Sequence, residues 1–225
     1  MSIKVLLADD HKIVSDCLRP LINKQPDMEV VGEALNGRMV VELAKKLNPN
    51  VVIMDIAMPD LNGIEATRQI ITKCRGVKVI TLSMNSDKRY VTGMLSAGAS
   101  GYLTKSCSFE ELVRAVRIVA ANRTYLSSDI SDIVIKESLS RSSTGKASAS
   151  FNLTMREREV LQLLAEGKTV KQIAGKLCLG LKTIYTHREK IMEKLNVKST
   201  ADLTKYALRE GMTSLKPQLR YKEGE

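Results

Sequence analysis

The sequence has few cysteines and no long apolar run. Its four cysteines, Cys17, Cys74, Cys107 and Cys178, lie far apart and include no C-x-x-C pair. This spacing excludes a disulfide framework and a structural zinc site, and it is typical of reduced thiols in the cytoplasm. The longest apolar stretches, such as Val51–Met54, are far shorter than the roughly 20 residues needed to cross a bilayer. The N-terminus, Met-Ser-Ile-Lys, lacks the apolar segment of a signal peptide, so we expect neither membrane insertion nor secretion.

Acidic residues are fewer than basic ones, and the basic excess is uneven along the chain. The 225 residues include 35 Lys and Arg against 25 Asp and Glu, a formal net charge of +10. Residues 151–225 carry 15 basic and 9 acidic side chains, whereas the longer stretch 1–124 carries 17 and 13. This excess is compatible with a polyanionic partner, and it is densest at the C-terminal end.

The N-terminal half alternates short β-branched runs with amphipathic stretches, which predicts a parallel sheet with helices on both faces. Helical spacing of apolar residues appears in 38–47 and 64–74, and Ser108-x-x-Glu111 has the spacing of a capping box. Together they predict an α/β unit of the (βα)5 type over residues 1–124. Five apolar runs are predicted as its strands: Ile3–Ala8, Glu29–Glu33, Val51–Met54, Val77–Leu82 and Gly101–Thr104.

The composition changes after Tyr125. A short amphipathic piece, 130–139, leads into a small and polar segment, 140–150, that cannot bury a core. We therefore predict a linker with a short helix over 125–150, a bundle of about four helices over 151–211 and a tail over 212–225. Residues with the spacing of helix caps support the bundle: Thr154-x-x-Glu157, Thr169-x-x-Gln172, Ser199-x-x-Asp202, Gly167 and Gly211.

Polar side chains follow four of the predicted strands. Asp9 and Asp10 follow the first strand and Asp55 the third, while Ser83 and Lys105 follow the fourth and fifth. Ligands of an open parallel sheet bind beyond the carboxyl ends of its strands, so we expect these side chains to converge there. Three carboxylates repel one another unless a cation lies among them, and Mg²⁺ prefers such oxygen ligands. Asp55 is then the best-placed nucleophile for phosphoryl transfer, and Lys105 and Ser83 can bind the resulting anion.

Five stretches of this segment carry a family likeness: Val5–His11, Val52–Pro59, Asn62-Gly63, Thr81–Ser83 and Gly98–Lys105. Through them, nearly all of residues 1–124 resembles the receiver domain of a two-component response regulator. The resemblance implies a flavodoxin-like fold and phosphorylation by a histidine kinase. It makes Asp55 the phosphoacceptor, Lys105 the phosphoryl-binding lysine, and Ser83 and Tyr102 a switch pair. It also implies that Mg²⁺ is held by Asp9, Asp10, Asp55 and the Ala57 carbonyl.

Simpler interpretations exist for these residues singly. Asp and Ser commonly form turns where strands end, and an aromatic such as Tyr102 in a strand is usually core. His11 is interpreted as a solvated neighbour, because imidazole suits Mg²⁺ poorly. For the whole chain, two alternatives stay open: a phosphohydrolase or phosphotransferase, and a protein-binding adaptor. We expect no enzyme, since the sequence shows neither a second catalytic acid nor a cleft-forming cap.

The segments 171–177, 178–180 and 182–195 predict a helix, a turn and a longer helix, which is the helix-turn-helix arrangement. In the longer helix, Ile184, Ile191 and Leu195 form an apolar stripe that His187 or Arg188 completes. The other face presents the side chains that we expect to contact DNA: Lys182, Thr183, Tyr185, Thr186, Glu189 and Lys190.

A second likeness rests on Leu153–Leu161, Gly167–Thr169, Ile173-Ala174, Lys182–Ile184, His187, Ile191-Met192 and Lys194-Leu195. Through them, residues 153–211 resemble the LuxR/FixJ-type DNA-binding domain, and the whole chain resembles the NarL/FixJ class of response regulators. Gly180 stands where this family usually has a Ser cap. The resemblance implies a homodimer that binds double-stranded promoter DNA in the cytoplasm. It points to Lys205–Leu208 as a dimer element, and bundle core is an equally consistent interpretation of that segment.

Overall fold

A computed structural model describes residues 2–84, 86–141 and 153–213 of the chain. Its strands are β1 Ile3–Ala8, β2 Met28–Ala34, β3 Val51–Met54, β4 Lys78–Ser83, β5 Gly101–Thr104 and β6 Tyr125–Leu126. They form one parallel sheet with the order β2-β1-β3-β4-β5-β6. The predicted α/β fold is confirmed, and the bounds of its five predicted strands differ by at most one residue from those observed.

The two-residue strand β6 is an addition to the predicted five-stranded sheet. A turn at Asn122, whose φ is 61°, precedes Tyr125 and Leu126, which pair with β5. The Ser127 amide then donates to the Tyr102 carbonyl at 3.1 Å. Two residues carry too little hydrophobic pattern to predict a strand, so only the fold reveals this one.

Helices cover both faces of the sheet because strand side chains alternate between two apolar clusters. They are α1 Lys12–Asn23, α2 Gly37–Leu47, α3 Gly63–Lys73, α4 Lys88–Ala97 and α5 Phe109–Ala120. In β1, Leu6 and Ala8 pack into one cluster with α2, α3 and α4. Val5 and Leu7 pack into the other cluster, with α1 and α5. The sheet is therefore buried on both faces, and its ends carry the polar chemistry.

Helix α6, Ser128–Arg141, is longer than the predicted amphipathic piece 130–139. It packs on the α4 side of the sheet, where Ile130 is fully buried in the same cluster as Tyr102. Ile133 and Val134 are partly buried against that cluster. The predicted linker thus begins with strand β6 and a helix that covers the sheet, and its remaining residues, 142–150, lie outside the described residues.

Within the described residues 153–213, the C-terminal part is a bundle of four helices, as predicted. They are α7 Met155–Ala165, α8 Val170–Leu177, α9 Leu181–Leu195 and α10 Thr200–Arg209. Thr154 and Thr169 form complete capping boxes with Glu157 and Gln172, which fixes where α7 and α8 begin. The apolar core includes Leu161, Ile173, Ile184, Ile191 and Leu203. Most of the predicted tail, residues 214–225, lies outside the described residues.

Candidate functional site

The predicted acidic residues meet at the carboxyl end of the sheet. Ligand atoms of Asp9, Asp10, His11 and Asp55 all lie within 4.8 Å of one another. Asp9 and Asp55 are each 5% exposed, and Asp10 is half-buried. The Asp55 amide donates to the Ala8 carbonyl at 2.8 Å, which continues the sheet pairing to the end of β3. The sheet therefore holds two carboxylates in a nearly dry position, where oxygen donors suit a hard divalent cation.

Lys105 lies between the two buried carboxylates. Its Nζ is 2.6 Å from Asp9 Oδ2 and 3.3 Å from Asp55 Oδ1. Burial, the largest single influence, lowers the pKa of Lys105, but Asp55 and Asp9 outweigh it and leave the pKa above its ordinary value. The ammonium therefore stays charged at neutral pH and is available to an anion at Asp55.

His11 contacts the acidic cluster more closely than a solvated neighbour would. Its Nδ1 lies 3.1 Å from Asp9 Oδ1 and 3.0 Å from Asp10 Oδ1, although about half of its side chain is exposed. Its backbone amide also donates to Asp9 Oδ1 at 2.9 Å. His11 thus helps to orient Asp9, a contact that the sequence interpretation did not include.

Ser83 and Tyr102 lie on the neighbouring strands β4 and β5, close to the acidic cluster. Ser83 is 3% exposed and Tyr102 is fully buried. Burial raises the pKa of Tyr102 far above its ordinary value, and a hydrogen bond with Ser83 opposes that rise only in part. The phenol is therefore neutral, and it connects the Ser83 hydroxyl with the apolar cluster that Ile130 of α6 also joins. Tyr102 is both a core aromatic and a neighbour of the site.

The loop from Asp55 to α3 folds back tightly, so that its end returns to its start. The Gly63 amide donates to the Ile56 carbonyl at 2.9 Å, and Asn62 caps α3 by accepting from the Glu65 amide. A Cβ on Gly63 would lie 2.1 Å from the Asp55 carbonyl oxygen, so the return requires glycine there. Ala57, whose carbonyl the resemblance assigns to the metal, belongs to this loop and is half-buried.

The predicted DNA-facing residues share one exposed face of α9. Its apolar side points inward, with Ile184 and Ile191 fully buried and Leu195 half-buried. Gly180 precedes the helix as its N-cap and provides no side-chain hydrogen bond. All six predicted DNA-contact residues are exposed: Lys182, Thr183, Tyr185, Thr186, Glu189 and Lys190.

The segment Lys205–Leu208 divides between two environments. Tyr206 and Ala207 belong to the buried core of the bundle, whereas Lys205 is exposed and Leu208 is half-buried. Half of the segment is therefore bundle core, and only Lys205 and Leu208 can take part in contacts outside it.

The sequence interpretation missed the contact between the helical bundle and the sheet domain. Helix α7 packs on α3, and Gln162 hydrogen-bonds with the loop that follows Asp55. Arg158 of α7 pairs with Glu65 of α3, with Nε and Oε1 2.6 Å apart. These residues carry no local signal, because a polar side chain on a helix usually faces solvent.

Two family models match the chain, one for each part. Residues 5–117 match the response regulator receiver domain. Residues 151–207 match the bacterial regulatory proteins of the luxR family. Among the described residues, each helix is too short or too polar to span a membrane.

Curated relatives and solved structures match over nearly the whole chain. The transcriptional regulatory protein DegU of Brevibacillus brevis is 34% identical, over 95% of this chain and 96% of its own length. LiaR of Bacillus subtilis, also a transcriptional regulatory protein, is 38% identical over 94% of this chain and 100% of its own. The Salmonella typhimurium response regulator RcsB is similar in structure, with a TM-score of 0.56, 28% identity, and coverage of 91% of this chain and 97% of that one. RcsB has also been solved in complex with DNA, and that structure has a TM-score of 0.56, 27% identity, and coverage of 92% and 98%.

Proposed function

Because the chain belongs to the LuxR family of DNA-binding two-component response regulators, we propose that phosphorylation of Asp55 by a histidine kinase switches its binding to promoter DNA. One observation carries the proposal: the buried Asp55 carboxylate lies beside the Lys105 ammonium and within the acidic cluster. In this proposal residues 1–124 receive the phosphoryl group, 125–150 connect, 151–211 bind DNA and 212–225 form a tail.

Each residue of the acidic site has a proposed role. An Asp55 oxygen attacks the phosphorus of a phosphohistidine, and the bond from phosphorus to the kinase nitrogen breaks. Lys105 then binds an oxygen of the new phosphoryl group, and Ser83 donates a hydrogen bond to another. When bound by Asp9, Asp10, Asp55 and the Ala57 carbonyl, Mg²⁺ supplies positive charge that offsets the charge on the phosphoryl oxygens.

The switch is proposed to act through Ser83 of β4 and Tyr102 of β5. A phosphoryl group adds about two negative charges at neutral pH, and it draws Ser83 and Lys105 toward Asp55. Movement of Ser83 removes the partner of the Tyr102 hydroxyl, which shifts the balance of conformers in the cluster shared with α6.

The DNA-binding face is proposed to be the exposed side of α9. Lys182 and Thr183 lie in the first turn of the helix, and they are proposed to bind a phosphate, which the helix dipole also favours. Tyr185, Thr186 and Glu189 follow one turn later, where an inserted helix presents side chains to base edges, and Lys190 adds positive charge. We propose a homodimer on two half-sites, as the relative RcsB has been solved as dimers on DNA.

The test is phosphorylation of the purified chain by a small phosphodonor with Mg²⁺, followed by intact mass and salt-dependent DNA binding. We expect one phosphoryl group per chain on the wild type and on the control Asp16→Asn, which alters an exposed carboxylate in α1. Asp55→Asn keeps the shape and loses the nucleophile, so it should stay unlabelled. Label that persists on Asp55→Asn would assign the phosphoacceptor elsewhere, and repeated turnover of the donor in large excess would indicate an enzyme. DNA affinity independent of salt would contradict DNA binding through α9.

A further inference from the structure

One side chain of α7, Gln162, contacts both ends of the loop that follows Asp55. Gln162 is 1% exposed, and its amide bonds with both ends of the segment Met58–Asn62. Nε2 donates to the Met58 carbonyl at 3.2 Å, and Oε1 accepts from the Asn62 amide at 2.9 Å. Nε2 also donates to Glu166 Oε1 at 2.8 Å, which fixes the orientation of the Gln162 amide. Gln162 therefore uses its donor and its acceptor on the same loop.

Other polar groups of this loop also have their partners in the bundle. The Asp60 amide donates to the Glu166 carboxylate, at 3.2 and 3.4 Å from its two oxygens. The Asp60 carboxylate pairs with Lys176 of α8. Asn62 Nδ2 donates to the Met212 carbonyl at 3.0 Å. Buried polar groups need such partners, so the loop conformation seen here depends on the docked bundle.

The same loop belongs to the proposed phosphorylation site. The Met58 amide, which shares a peptide with the Ala57 carbonyl, donates to the Ile56 carbonyl at 3.0 Å. The Met58 carbonyl accepts from Gln162 on the other side. Both polar groups of Met58 are thus fixed, and with them the peptide that carries a proposed metal ligand. A ligand that is ordered in advance lowers the entropy cost of binding.

We propose that Gln162 is a positioning residue for the acidic site: by holding the Met58–Asn62 loop from the bundle, it raises the affinity of the site for Mg²⁺. This inference rests on the proposed function of that site. Coupling between two equilibria is reciprocal, so Mg²⁺ stabilises the docked arrangement by the same factor. The helical bundle is in this way a structural part of the site that controls it.

Two substitutions of Gln162 test the proposal in the full-length chain. Gln162→Leu removes both loop bonds, and Gln162→Glu keeps the size but puts a carboxylate oxygen against the Met58 carbonyl. We expect each to weaken Mg²⁺ binding about fivefold or more in a calorimetric titration, a typical coupling. Amide hydrogen exchange should become faster at residues 58–62. The control Gln172→Leu removes an exposed cap of α8 that does not bond with the loop, and it should bind Mg²⁺ like the wild type.

Wild-type Mg²⁺ affinity in Gln162→Glu, with a native circular dichroism spectrum, would overturn the proposal. Equal weakening by Gln172→Leu would also overturn it, because bundle instability would then explain the effect. If Gln162→Leu fails to fold, Gln162→Glu decides the question. Phosphorylation of the wild type is measured on the same preparations: labelling at Asp55 together with unchanged Mg²⁺ affinity rejects only the role of Gln162. Failure of the wild type to be labelled rejects the proposed function itself.

Discussion

At the scale of single residues, the Lys105 ammonium pairs with two buried carboxylates, Asp9 and Asp55, at the acidic end of the sheet. Lys105 is closer to Asp9, at 2.6 Å, than to Asp55, at 3.3 Å. A buried charge that loses its partner is costly, so Lys105 can move toward Asp55 only when another cation or donor serves Asp9. His11 Nδ1, 3.1 Å from Asp9 Oδ1, is one such group, and Mg²⁺ bound as proposed would be another. The proposed phosphorylation therefore redistributes existing pairs and creates no unpaired charge.

Residues of α9 that are proposed to bind DNA in different ways should respond differently to alanine substitution. Lys182 is proposed to bind a phosphate, so Lys182→Ala should weaken binding to all sequences alike and reduce the salt slope by about one. Glu189 is proposed to accept from a cytosine, so Glu189→Ala should change the preference at one base pair by about 1–3 kcal/mol. Binding titrations on matched and singly altered operators, at several salt concentrations, measure both effects.

For Lys182→Ala and Glu189→Ala, the decisive comparison is the order in which each variant ranks the operators by affinity. If Glu189→Ala keeps the wild-type ranking, Glu189 only faces solvent and the reading face is elsewhere on α9. If Lys182→Ala alters the preference at one position and leaves the salt slope unchanged, it reads a base and its proposed role is wrong.

At the scale of secondary structure, the sequence predicted the elements whose ends are marked chemically. Capping boxes at Thr154 and Thr169 located α7 and α8, and the β-branched runs located β1 to β5 within a residue. The convergence of Asp9, Asp55 and Lys105 also followed from their positions at the carboxyl ends of parallel strands. Strand β6 and the full length of α6 did not follow, because they are stabilised by packing on β5 and α4 and carry little pattern of their own.

The packing of α6 on the sheet can be measured with two isoleucines of that helix. Ile130 is fully buried in the cluster with Tyr102, whereas Ile135 is 58% exposed. We expect Ile130→Ala to lower the free energy of unfolding by about 2–5 kcal/mol, the usual cost of such a cavity. Ile135→Ala should change it by about 0.5 kcal/mol at most. Urea denaturation followed by circular dichroism makes the comparison, and equal small effects would mean that α6 is not packed on the sheet in solution.

The ion pair between Glu157 of α7 and Lys194 of α9 should make the stability of the bundle depend on pH. Burial alone raises the pKa of Glu157, but hydrogen bonds from Lys194 and Thr154 outweigh it and lower the pKa below its ordinary value of 4.5. The carboxylate therefore stabilises the bundle fully above about pH 4.5, the ordinary pKa, and this contribution is lost as the pH falls below that value through the lower pKa of the folded state. Glu157→Gln should cost about 1.5–3 kcal/mol at neutral pH and progressively less in acid.

Urea titrations from pH 7 to acid compare the wild type, Glu157→Gln and the control Glu193→Gln, which alters an exposed carboxylate of α9. The curves of the wild type and Glu157→Gln should converge as the pH falls, whereas Glu193→Gln should follow the wild type throughout. A constant gap between the first two curves would mean that packing, and not charge, explains the loss.

At the scale of the whole molecule, the bundle docks on the sheet domain and leaves its proposed DNA-binding side exposed. Contacts with the sheet domain come from α7, from Lys176 of α8, from Arg209 of α10 and from the chain after α10, whereas the six side chains of α9 that are proposed to face DNA are exposed. Such contacts join residues 90 or more positions apart, as Gln69 with Glu159 and Asn62 with Gln162 show. No local pattern predicts them, so this part of the site required the structure.

Docking should therefore be separable from DNA binding by a single substitution at the interface. Arg158 of α7 is mostly buried and pairs with Glu65, while Arg68 lies 3.6 Å from the same carboxylate. Arg158→Met removes one of the charges that pair across the interface and leaves Glu65 with the weaker partner, which favours an undocked arrangement. We expect a larger radius of gyration in solution scattering, with an unchanged salt slope for DNA binding, because the exposed side of α9 is intact. The control Arg19→Met breaks an exposed pair with Glu33 inside the sheet domain and should leave both quantities unchanged. A wild-type radius in Arg158→Met would show that this ion pair does not hold the domains together, and an altered salt slope would show that docking and DNA contact share a surface.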